Sequence, residues 1–348
     1  MINLNITYAR NIEHCEPTKY AKEVTIKSIE PANNSENLNI IKFEESGWQV
    51  VSNNDNKYSI GDKVFFIPID SVLPLELSDK MNITQYLSKS KIQYVKLRGN
   101  RSEGIIVNKD IVEPYLPYIM KWEDLPDITM KGEQAKYSTI SPNFIKFYKM
   151  PNLQNEPNTF YKNENLFLSE KIHGTNSRFG WFKNPETNKY EIHIGSHNCV
   201  FKITNTENLY VKTLLPIMQK MLEKDEAKCR DIEFFGEIYG PGIQGGFDYG
   251  LANKPSFKVF AICNGDGDYL SIIETKEICE YFDLDIVKFY YTCFNSIEDL
   301  VDIAGYDSQY TNKHVKEGIV LRSIDRPNIM AKVLNPKYLE KKNRVERH

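Results

Sequence analysis

Apolar and polar residues alternate in short runs over the first third of the chain. Residues 24–29 alternate strictly, as half-buried strands do, and Gly61-Asp62 supplies a turn between two later runs. The further runs with strand character are 48–51, 64–67 and 94–97. Several short strands at this spacing predict a small β-barrel of the OB type, with a β-sandwich as the structural alternative.

Beyond residue 160, strands mix with helices. Leu209, Leu214, Met218 and Met221 recur at helical spacing within 209–223, and Ser296 is a fitting N-cap for a helix ending at 304. A third helix is predicted at 275–282, and strands at 165–170, 232–235, 257–262, 318–322 and 331–334. The chain is therefore predicted to be α+β, with a barrel domain over 1–125, a Pro-rich linker over 126–160 and a second domain over 161–348.

Bulk properties exclude some classes of protein and leave others open. No run of eighteen apolar residues occurs, so no membrane partner is expected. The six cysteines form no C-x-x-C pair, which predicts reduced thiols and a cytoplasmic or other reducing intracellular location. A net charge of -3 does not decide nucleic-acid binding, because an acidic protein can still carry a local basic face.

The densest cluster of polar chemistry surrounds Lys171. This lysine follows the predicted strand 165–170 and precedes His173, Gly174, Thr175 and Asn176. A lysine attacks as the neutral amine, whereas its unperturbed pKa of about 10.4 leaves it almost entirely charged at neutral pH. A nucleophilic lysine therefore needs burial or a nearby cation, and a glycine beside it lets the backbone approach a phosphate closely. Lys171 is the predicted nucleophile.

The segment Glu170-Lys171-Ile172-His173-Gly174-Thr175-Asn176 resembles the nucleotidyl-lysine motif of the phage RNA ligase 2 group. In DNA ligases and capping enzymes the second residue after the lysine is typically aspartate, so His173 favours the RNA ligases. Downstream segments are similar in order and spacing to the remaining motifs of the covalent nucleotidyltransferase superfamily, and they are 235–240, 258–262, 317–322 and 331–335. The resemblance implies a nucleotidyltransferase (ATP-grasp-like ligase) domain of antiparallel sheets with flanking helices.

The resemblance also implies a role for each matching residue. Lys171 would carry AMP, Phe260 would offer a flat apolar face to adenine, and Glu170 would read the adenine amino group. Glu237 would bind the ribose hydroxyls, and Glu237 and Glu317 would hold a metal ion through water. Lys332 would neutralise charge on the α-phosphate. The residues predicted to bind the nucleotide are Glu170, His173, Gly174, Asn176, His197, Glu237, Phe260, Glu317 and Lys332.

Two positions depart from the family pattern. His197 stands where relatives often have an arginine, and a plain turn is the alternative reading of 194–198. The last motif usually has two lysines separated by one residue, but Leu334 follows Lys332 at that interval. Lys337 is the candidate replacement for the second lysine, with plain surface charge as the alternative.

The N-terminal part resembles the OB module of the RNA ligase 5 family, which places its OB domain before the ligase core. The matching segments are 47–51, 61–74 and 96–104. A basic strip that could contact nucleic-acid phosphates comprises Lys89, Lys91, Lys96, Arg98 and Arg101. A solvated hairpin is the alternative interpretation of this strip.

Taken together, the resemblance implies an ATP-dependent RNA ligase of the RNA ligase 5 family. It would use ATP with Mg²⁺ or Mn²⁺, seal nicked RNA or RNA/DNA duplexes through a lysyl-AMP intermediate, and act as a monomer. Two alternatives stay open at this point. One is a DNA ligase or capping-type nucleotidyltransferase, and the other is an OB-fold RNA-binding protein whose catalytic core has decayed.

Overall fold

A computed structural model describes residues 20–87, 90–121 and 140–345. The chain divides into two compact units. The described residues of Met1–Met130, Leu153–Asn158 and Leu339–His348 form the first unit, and those of Lys131–Asn152 and Thr159–Tyr338 form the second. None of the helices in the described ranges combines the length and the apolar character that a bilayer crossing needs.

The first unit is built on a five-stranded antiparallel sheet in the order β3-β2-β1-β4-β8. The residues directly before its last strand return to β3, because Val51 N donates to Ser102 Oγ (3.0 Å) and Glu103 N donates to the Gln49 carbonyl (2.9 Å). The sheet is therefore a nearly closed barrel. The elements are β1 (Lys22–Pro31), β2 (Leu38–Phe43), β3 (Gln49–Asn53), β4 (Lys63–Pro68), β5 (Ser71–Val72), α1 (Leu75–Lys80), β6 (Val95–Leu97), β7 (Asn100–Ser102), β8 (Gly104–Val107), α2 (Lys109–Val112) and β9 (Met120–Lys121).

The second unit contains two antiparallel sheets. One has the order β16-β10-β17-β18, and the other has the order β13-β12-β11-β14-β15. The strands are β10 (Asn165–Lys171), β11 (Thr175–Lys183), β12 (Tyr190–Ser196), β13 (Val200–Phe201), β14 (Glu233–Tyr239), β15 (Ser256–Cys263), β16 (Phe289–Cys293), β17 (Gly318–Ser323) and β18 (Met330–Leu334). The helices are α3 (Leu209–Cys229), α4 (Ile272–Tyr281) and α5 (Ile297–Ala304), and α6 (Pro336–Val345) begins in this unit and continues as part of the first.

The outer face of the five-stranded sheet packs against a helix, and its inner face packs against the other sheet. The buried residues Leu214, Met218 and Met221 of α3 pack on the outer face of the five-stranded sheet. A second cluster joins Phe235 of β14 and Ala261 of β15 to Met330 of β18, with further contributions from Phe147 and Cys263. Because this cluster draws on both sheets, their inner faces oppose each other within the second unit.

The secondary structure predicted from sequence is confirmed in outline. The predicted strands and helices are present with shifted ends, β17 and β18 pair, and Ser296 caps α5 by accepting from Asp299 N. The five described cysteines form no disulfide with one another. The α+β class with antiparallel sheets and flanking helices is also confirmed.

The predicted linker, 126–160, is described only from residue 140. Residues 140–160 carry no helix, and part of this stretch is anchored to the second unit by Arg178 and Glu233. Arg178 Nη1 donates to the Phe144 carbonyl (3.1 Å), and Glu233 Oε2 accepts from Ile145 N (2.9 Å). The boundaries at 125 and 160 remain predictions.

Candidate active site

Lys171 is the last residue of β10 and lies opposite Gly318 of β17. Ser169, two positions earlier, lies opposite Val320, which in turn lies opposite Lys332 of β18. Residues that face each other across an antiparallel ladder share a side of the sheet, as do residues two apart. Lys171 and Lys332 therefore lie on one face, the inner face that also carries Met330.

The Lys171 ammonium is held by Glu317, which directly precedes β17. Lys171 Nζ lies 2.8 Å from Glu317 Oε1, and His173 Nδ1 lies 3.1 Å from Glu317 Oε2. Burial acts to raise the pKa of Glu317, but the charge of Lys171 and the hydrogen bond with His173 outweigh burial and hold that pKa at about 2. Glu317 is thus an ionised carboxylate that engages both residues.

A glycine-rich loop after β14 surrounds the turn from β10 to β11. Gln244 Nε2 donates to the Gly174 carbonyl (2.9 Å), and the Tyr249 hydroxyl accepts from His173 N (2.7 Å). The rings of Phe247 and Tyr338 contact the His173 imidazole edge-on, with centroids 4.6 and 5.1 Å away. The predicted nucleotide-binding turn is therefore fixed from several sides.

The opposing sheet contributes Asn176 and Glu237, which are cross-strand partners on β11 and β14. Burial raises the pKa of Glu237 to about 8, against the lowering effect of the Lys171 charge, and the negative charge of Glu317 adds to the rise. Asn176 Oδ1 is buried and has no hydrogen-bond partner within the part of the chain that the structure describes. An unpaired buried acceptor is unfavourable, so this oxygen fits a hydrogen-bond donor on a bound ligand.

Gly174 directly precedes β11, and its backbone runs close to the backbone of β14. A Cβ at this position would collide with the Ile238 carbonyl oxygen, which belongs to the backbone and cannot move aside. The position therefore requires glycine for close strand packing.

Phe260 is the extra residue of a β-bulge. Phe235 pairs with Ala261 and Gly236 pairs with Val259, which leaves Phe260 without a partner in the ladder. A bulge re-aims a side chain, and Phe260 packs edge-on to Phe147 with centroids 5.0 Å apart. The ring is partly buried against the inner-face cluster, which is compatible with its predicted role beside a nucleotide base.

Glu170 lies on the other face of the sheet from Lys171. Its cross-strand partner is Ile319, and its oxygens accept from Ser308 Oγ and Gln309 N, both at 2.8 Å. Burial raises the pKa of Glu170, partly offset by these hydrogen bonds and by the charge of Lys316. If Glu170 also bound the adenine amino group, as predicted, its oxygens would have to accept that hydrogen bond in addition to those from Ser308 and Gln309.

Three further positions singled out from the sequence are His197, Lys337 and Leu334. His197 occupies the turn between β12 and β13, next to Ser196, which pairs with Ser177. Lys337 Nζ donates to the Gly305 carbonyl (3.2 Å). Leu334 pairs with Gly318 and so shares the inner face with Lys332 and Lys171.

The predicted basic strip of the first unit is not a uniform surface. Lys91 is only 6% exposed and pairs with Asp70 (3.5 Å), and Lys96 pairs with Glu340 (2.6 Å). Arg98 is exposed at the tip of the β6–β7 hairpin, where it and Gly99 both have positive φ. Arg101 lies 3.9 Å from the buried Glu103, and Lys89 falls outside the described residues.

Several residues of the site were not predicted from sequence. Tyr249 and Tyr338 contact His173, Ser308 binds Glu170, and Asn335 fixes the backbone before β17. Asn335 N donates to the Glu317 carbonyl, and its side chain donates to the Lys316 carbonyl, both at 2.9 Å. The one available signal was the glycine-rich composition of 240–250 directly after a motif strand.

The carboxylates of the site suit a hydrated cation that the protein binds through only one or two ligands. Within the described ranges, no three His, Cys, Asp or Glu side chains are grouped so as to hold a metal ion by themselves. Mg²⁺ is usually bound through one or two carboxylates, its own waters and substrate phosphates. Glu317 and Glu237 fit that arrangement.

No curated protein sequence matches the chain. Its fold is similar to structures of Naegleria gruberi RNA ligase, both a variant with ATP and Mn (TM-score 0.75, 22% identity, covering 93% of this chain and 99% of that one) and a complex with PPi (TM-score 0.75, 22% identity, 94% and 99%). A variant with AMP and Mn is equally similar (TM-score 0.75, 22% identity, 93% and 99%).

The family model for RNA ligase matches residues 164–334. This range begins one residue before β10 and ends with β18, so it contains both sheets and the Lys171, His173 and Glu317 side chains. Residues 164–334 therefore match the RNA ligase family of enzymes that join RNA and form an RNA ligase domain.

Proposed function

We propose that the chain seals breaks in RNA by carrying AMP, taken from ATP, on Lys171. The observation that carries this proposal is the Lys171–Glu317–His173 cluster, whose lysine lies on an inner sheet face opposite Asn176 and Glu237. Naegleria gruberi RNA ligase, which has a similar fold, is known with ATP and Mn, with AMP and Mn, and with PPi. Those complexes support ATP and a divalent metal, Mg²⁺ or Mn²⁺, for this chain.

In the first step, Lys171 Nζ attacks the α-phosphorus of ATP. The P–N bond forms as the bond to the bridging oxygen of the β-phosphate breaks, and pyrophosphate leaves with that electron pair. The attacking amine must be neutral, so its proton has to leave before or during attack. A metal ion bound at Glu317 and Glu237 would shield phosphate charge and orient the pyrophosphate.

The protein residues bind and orient the nucleotide for this step. Phe260 stacks on adenine, and Asn176 and Glu237 bind the sugar and phosphate region from the opposing sheet. Lys332 lies on the same face as Lys171 and offsets the negative charge that builds on the α-phosphate. His173 keeps Glu317 aligned with Lys171.

Two further steps complete sealing. An RNA 5′-phosphate oxygen attacks the lysyl-AMP phosphorus, which releases the Lys171 amine and leaves AMP joined to the 5′ end. A neighbouring 3′-hydroxyl then attacks the activated 5′-phosphate, expels AMP and forms the phosphodiester. The proposed substrate is a nick in an RNA or RNA/DNA duplex, bound by a monomer in a reducing intracellular compartment.

The first unit is proposed to be an OB barrel that grips the duplex. Its strand order, with the fifth barrel strand returning to the third, matches the partly open five-stranded Greek-key barrel of that fold. Arg98 and Arg101 are its proposed phosphate contacts, with Lys96 available if its pairing with Glu340 opens.

The test combines labelling and sealing. Protein incubated with α-labelled ATP and Mg²⁺ should retain label after denaturation, and the labelled protein should then seal a nicked duplex whose 3′-hydroxyl strand ends in RNA. Lys171→Met should abolish both, whereas Lys80→Met, at an exposed lysine of α1, should leave both unchanged. Label retained from GTP instead of ATP would indicate a capping enzyme, and RNA binding without any label would indicate a decayed core.

A further inference from the structure

The segment that leads into Glu317 is held at its start by one buried carboxylate. Glu170 is 4% exposed, and its two oxygens separately accept from Ser308 Oγ and Gln309 N at 2.8 Å. A buried carboxyl group with a separate donor on each oxygen is fixed in position by both hydrogen bonds. The segment 308–317, which ends at the proposed metal-binding residue, therefore begins at an attachment to β10.

The same segment is held at its end by Asn335. This fully buried side chain donates to the Lys316 carbonyl, and its backbone N–H donates to the Glu317 carbonyl, both at 2.9 Å. The carboxylate of Glu317 then reaches Lys171, the residue that follows Glu170. Glu170 is thus connected to Lys171 in two ways. One is the peptide bond between them, and the other runs through the hydrogen bonds of Glu170, the 308–317 segment and the Glu317–Lys171 ion pair.

Glu170 and Lys171 are adjacent in sequence, but β10 places their side chains on opposite faces of the sheet. Lys171 lies on the inner face, whereas Glu170 pairs with the fully buried Ile319 on the opposite face, where α5 and the following segment pack. A side chain on that face, with donors already on both oxygens, is better placed to hold the 308–317 segment than to contact a nucleotide on the inner face.

We propose that Glu170 is a positioning residue, which fixes the 308–317 segment and thereby sets Glu317 against Lys171 and the metal ion. This inference rests on the proposed function of Lys171 and Glu317. It assigns ATP selectivity to groups other than the Glu170 carboxylate. It also predicts that damage to Glu170 is felt at Glu317, on the other side of the sheet.

The experiment compares Glu170→Ala, Glu170→Gln and Ser308→Ala with a matched control, Asp307→Asn. Asp307 has an exposed side chain and directly precedes Ser308, and its backbone bridge to Val315 is kept by the substitution. For each variant, three quantities are measured: the rate of label transfer from ATP to protein, the preference for ATP over GTP, and the Mg²⁺ concentration giving half the maximal rate. Hydrogen exchange of the backbone amides in 308–317 is followed without nucleotide or metal.

Glu170→Ala should lower the labelling rate about ten-fold or more, the size expected when hydrogen bonds that align a reacting group are lost. The half-saturating Mg²⁺ concentration should rise, amide exchange in 308–317 should accelerate, and the preference for ATP over GTP should not change. Glu170→Gln keeps the shape and one acceptor oxygen, so it should recover much of the rate. Ser308→Ala should fall between them, and Asp307→Asn should match the wild type.

Other outcomes would overturn the inference. Increased use of GTP by Glu170→Ala or Glu170→Gln would show that the side chain reads the base. Unchanged labelling and metal dependence, with only a lower melting temperature, would show a purely structural contact. If Glu170→Ala does not fold, Glu170→Gln and Ser308→Ala decide by the same criteria. Absence of label on the wild-type protein would instead refute the proposed function, while the exchange data would still report whether Glu170 holds the segment.

Discussion

At the residue scale, two carboxylates in one site are driven to opposite protonation states. Glu317, paired with Lys171 and His173, has its pKa held at about 2, while burial raises the pKa of Glu237 to about 8. Lys171 interacts with both, but its ammonium is in direct contact with Glu317. The charge of Lys171 helps to outweigh the effect of burial on the pKa of Glu317, but it only partly offsets that effect on the pKa of Glu237.

Replacing Glu237 by glutamine should change how stability depends on pH. Because the pKa of Glu237 is raised on folding, its contribution to stability is fully present below its unfolded value of about 4.5 and is lost as pH rises through about 8. Glu237→Gln cannot ionise and should avoid this loss. Its melting temperature relative to wild type should therefore increase between pH 5 and about 8 and level off above.

Thermal unfolding of both proteins across this pH range makes the measurement. Glu223→Gln, at an exposed position of α3, is the control and should track the wild type at every pH. A difference between Glu237→Gln and wild type that does not vary with pH would contradict the assignment. Labelling by Glu237→Gln should fall even where its stability gains, since the carboxylate is proposed to bind ribose or metal.

Phe260 should matter for nucleotide affinity more than for chemistry. Stacking of a base on an aromatic ring contributes about 1–3 kcal/mol, so Phe260→Leu should raise the KM for ATP roughly 5- to 150-fold. The maximal labelling rate should change much less, because the ring does not touch the reacting atoms. Phe260→Tyr keeps the aromatic face and serves as the control, and an unchanged KM in Phe260→Leu would argue against base stacking.

Sequence motifs were informative for residues that act through their own short segment. Lys171 and Glu317 each stand in a recognisable run of residues, and the structure brings them to 2.8 Å. Tyr249 and Ser308 act through contacts with residues 76 and 138 positions away in sequence. No local pattern encodes such contacts, because they arise only when separate loops close around the strand ends.

At the element scale, β11 is the strand of the site that was not predicted from sequence. β11 carries Asn176 and Arg178 on its inner face, where a strand of the core would carry apolar side chains. The polar residues required by the site conceal the alternation that marks a strand. β17 and β18, whose outer face holds Ile319, Leu321, Ala331 and Val333, keep that alternation and were predicted.

The contact between β11 and β14 predicts a sharp difference between two glycines. A Cβ at Gly174 would meet the Ile238 carbonyl oxygen, whereas a Cβ at Gly245 would meet nothing within 4 Å. Gly174→Ala should cost about 1–3 kcal/mol by overpacking and should also displace His173 from Glu317. Gly245→Ala should be close to neutral.

Chemical denaturation and ATP labelling of both variants check this prediction. Gly174→Ala should show a lower unfolding midpoint and strongly reduced labelling. Equal stability and equal labelling of the two variants would mean that the strands do not approach as closely at Gly174 as described.

At the scale of the whole molecule, the chain is not divided at one point along its length. Residues 153–158 return to the first unit, where Gly47 N donates to the Gln154 carbonyl (2.8 Å) and Lys22 Nζ donates to the Asn155 carbonyl (2.9 Å). The proline-rich composition of 126–160 indicates a connecting segment, but it does not indicate the path that this segment follows. The sequence therefore predicted a connecting region without indicating where it would pack.

Arg98 gives the most direct test of nucleic-acid binding by the first unit. It is exposed at the tip of the β6–β7 hairpin and has no ion-pair partner among the described residues. Arg98→Gln should weaken binding to nicked RNA duplex and lower the slope of log affinity against log salt by about 0.7–0.9, the value for one lost phosphate contact. Lys80→Gln, on α1, should leave the slope unchanged, and an unchanged slope in Arg98→Gln would remove the hairpin tip from the proposed interface.

The central claim concerns one covalent bond, and mass spectrometry of digested protein tests it most directly. After incubation with ATP and Mg²⁺, the peptide containing Lys171 should gain the mass of one AMP, and fragmentation should place that mass on the lysine side chain. The adduct should be lost in acid, as a P–N bond is, and it should disappear on adding a 5′-phosphorylated nicked duplex. AMP attached to another residue, or no AMP on a folded protein that binds ATP, would contradict the account.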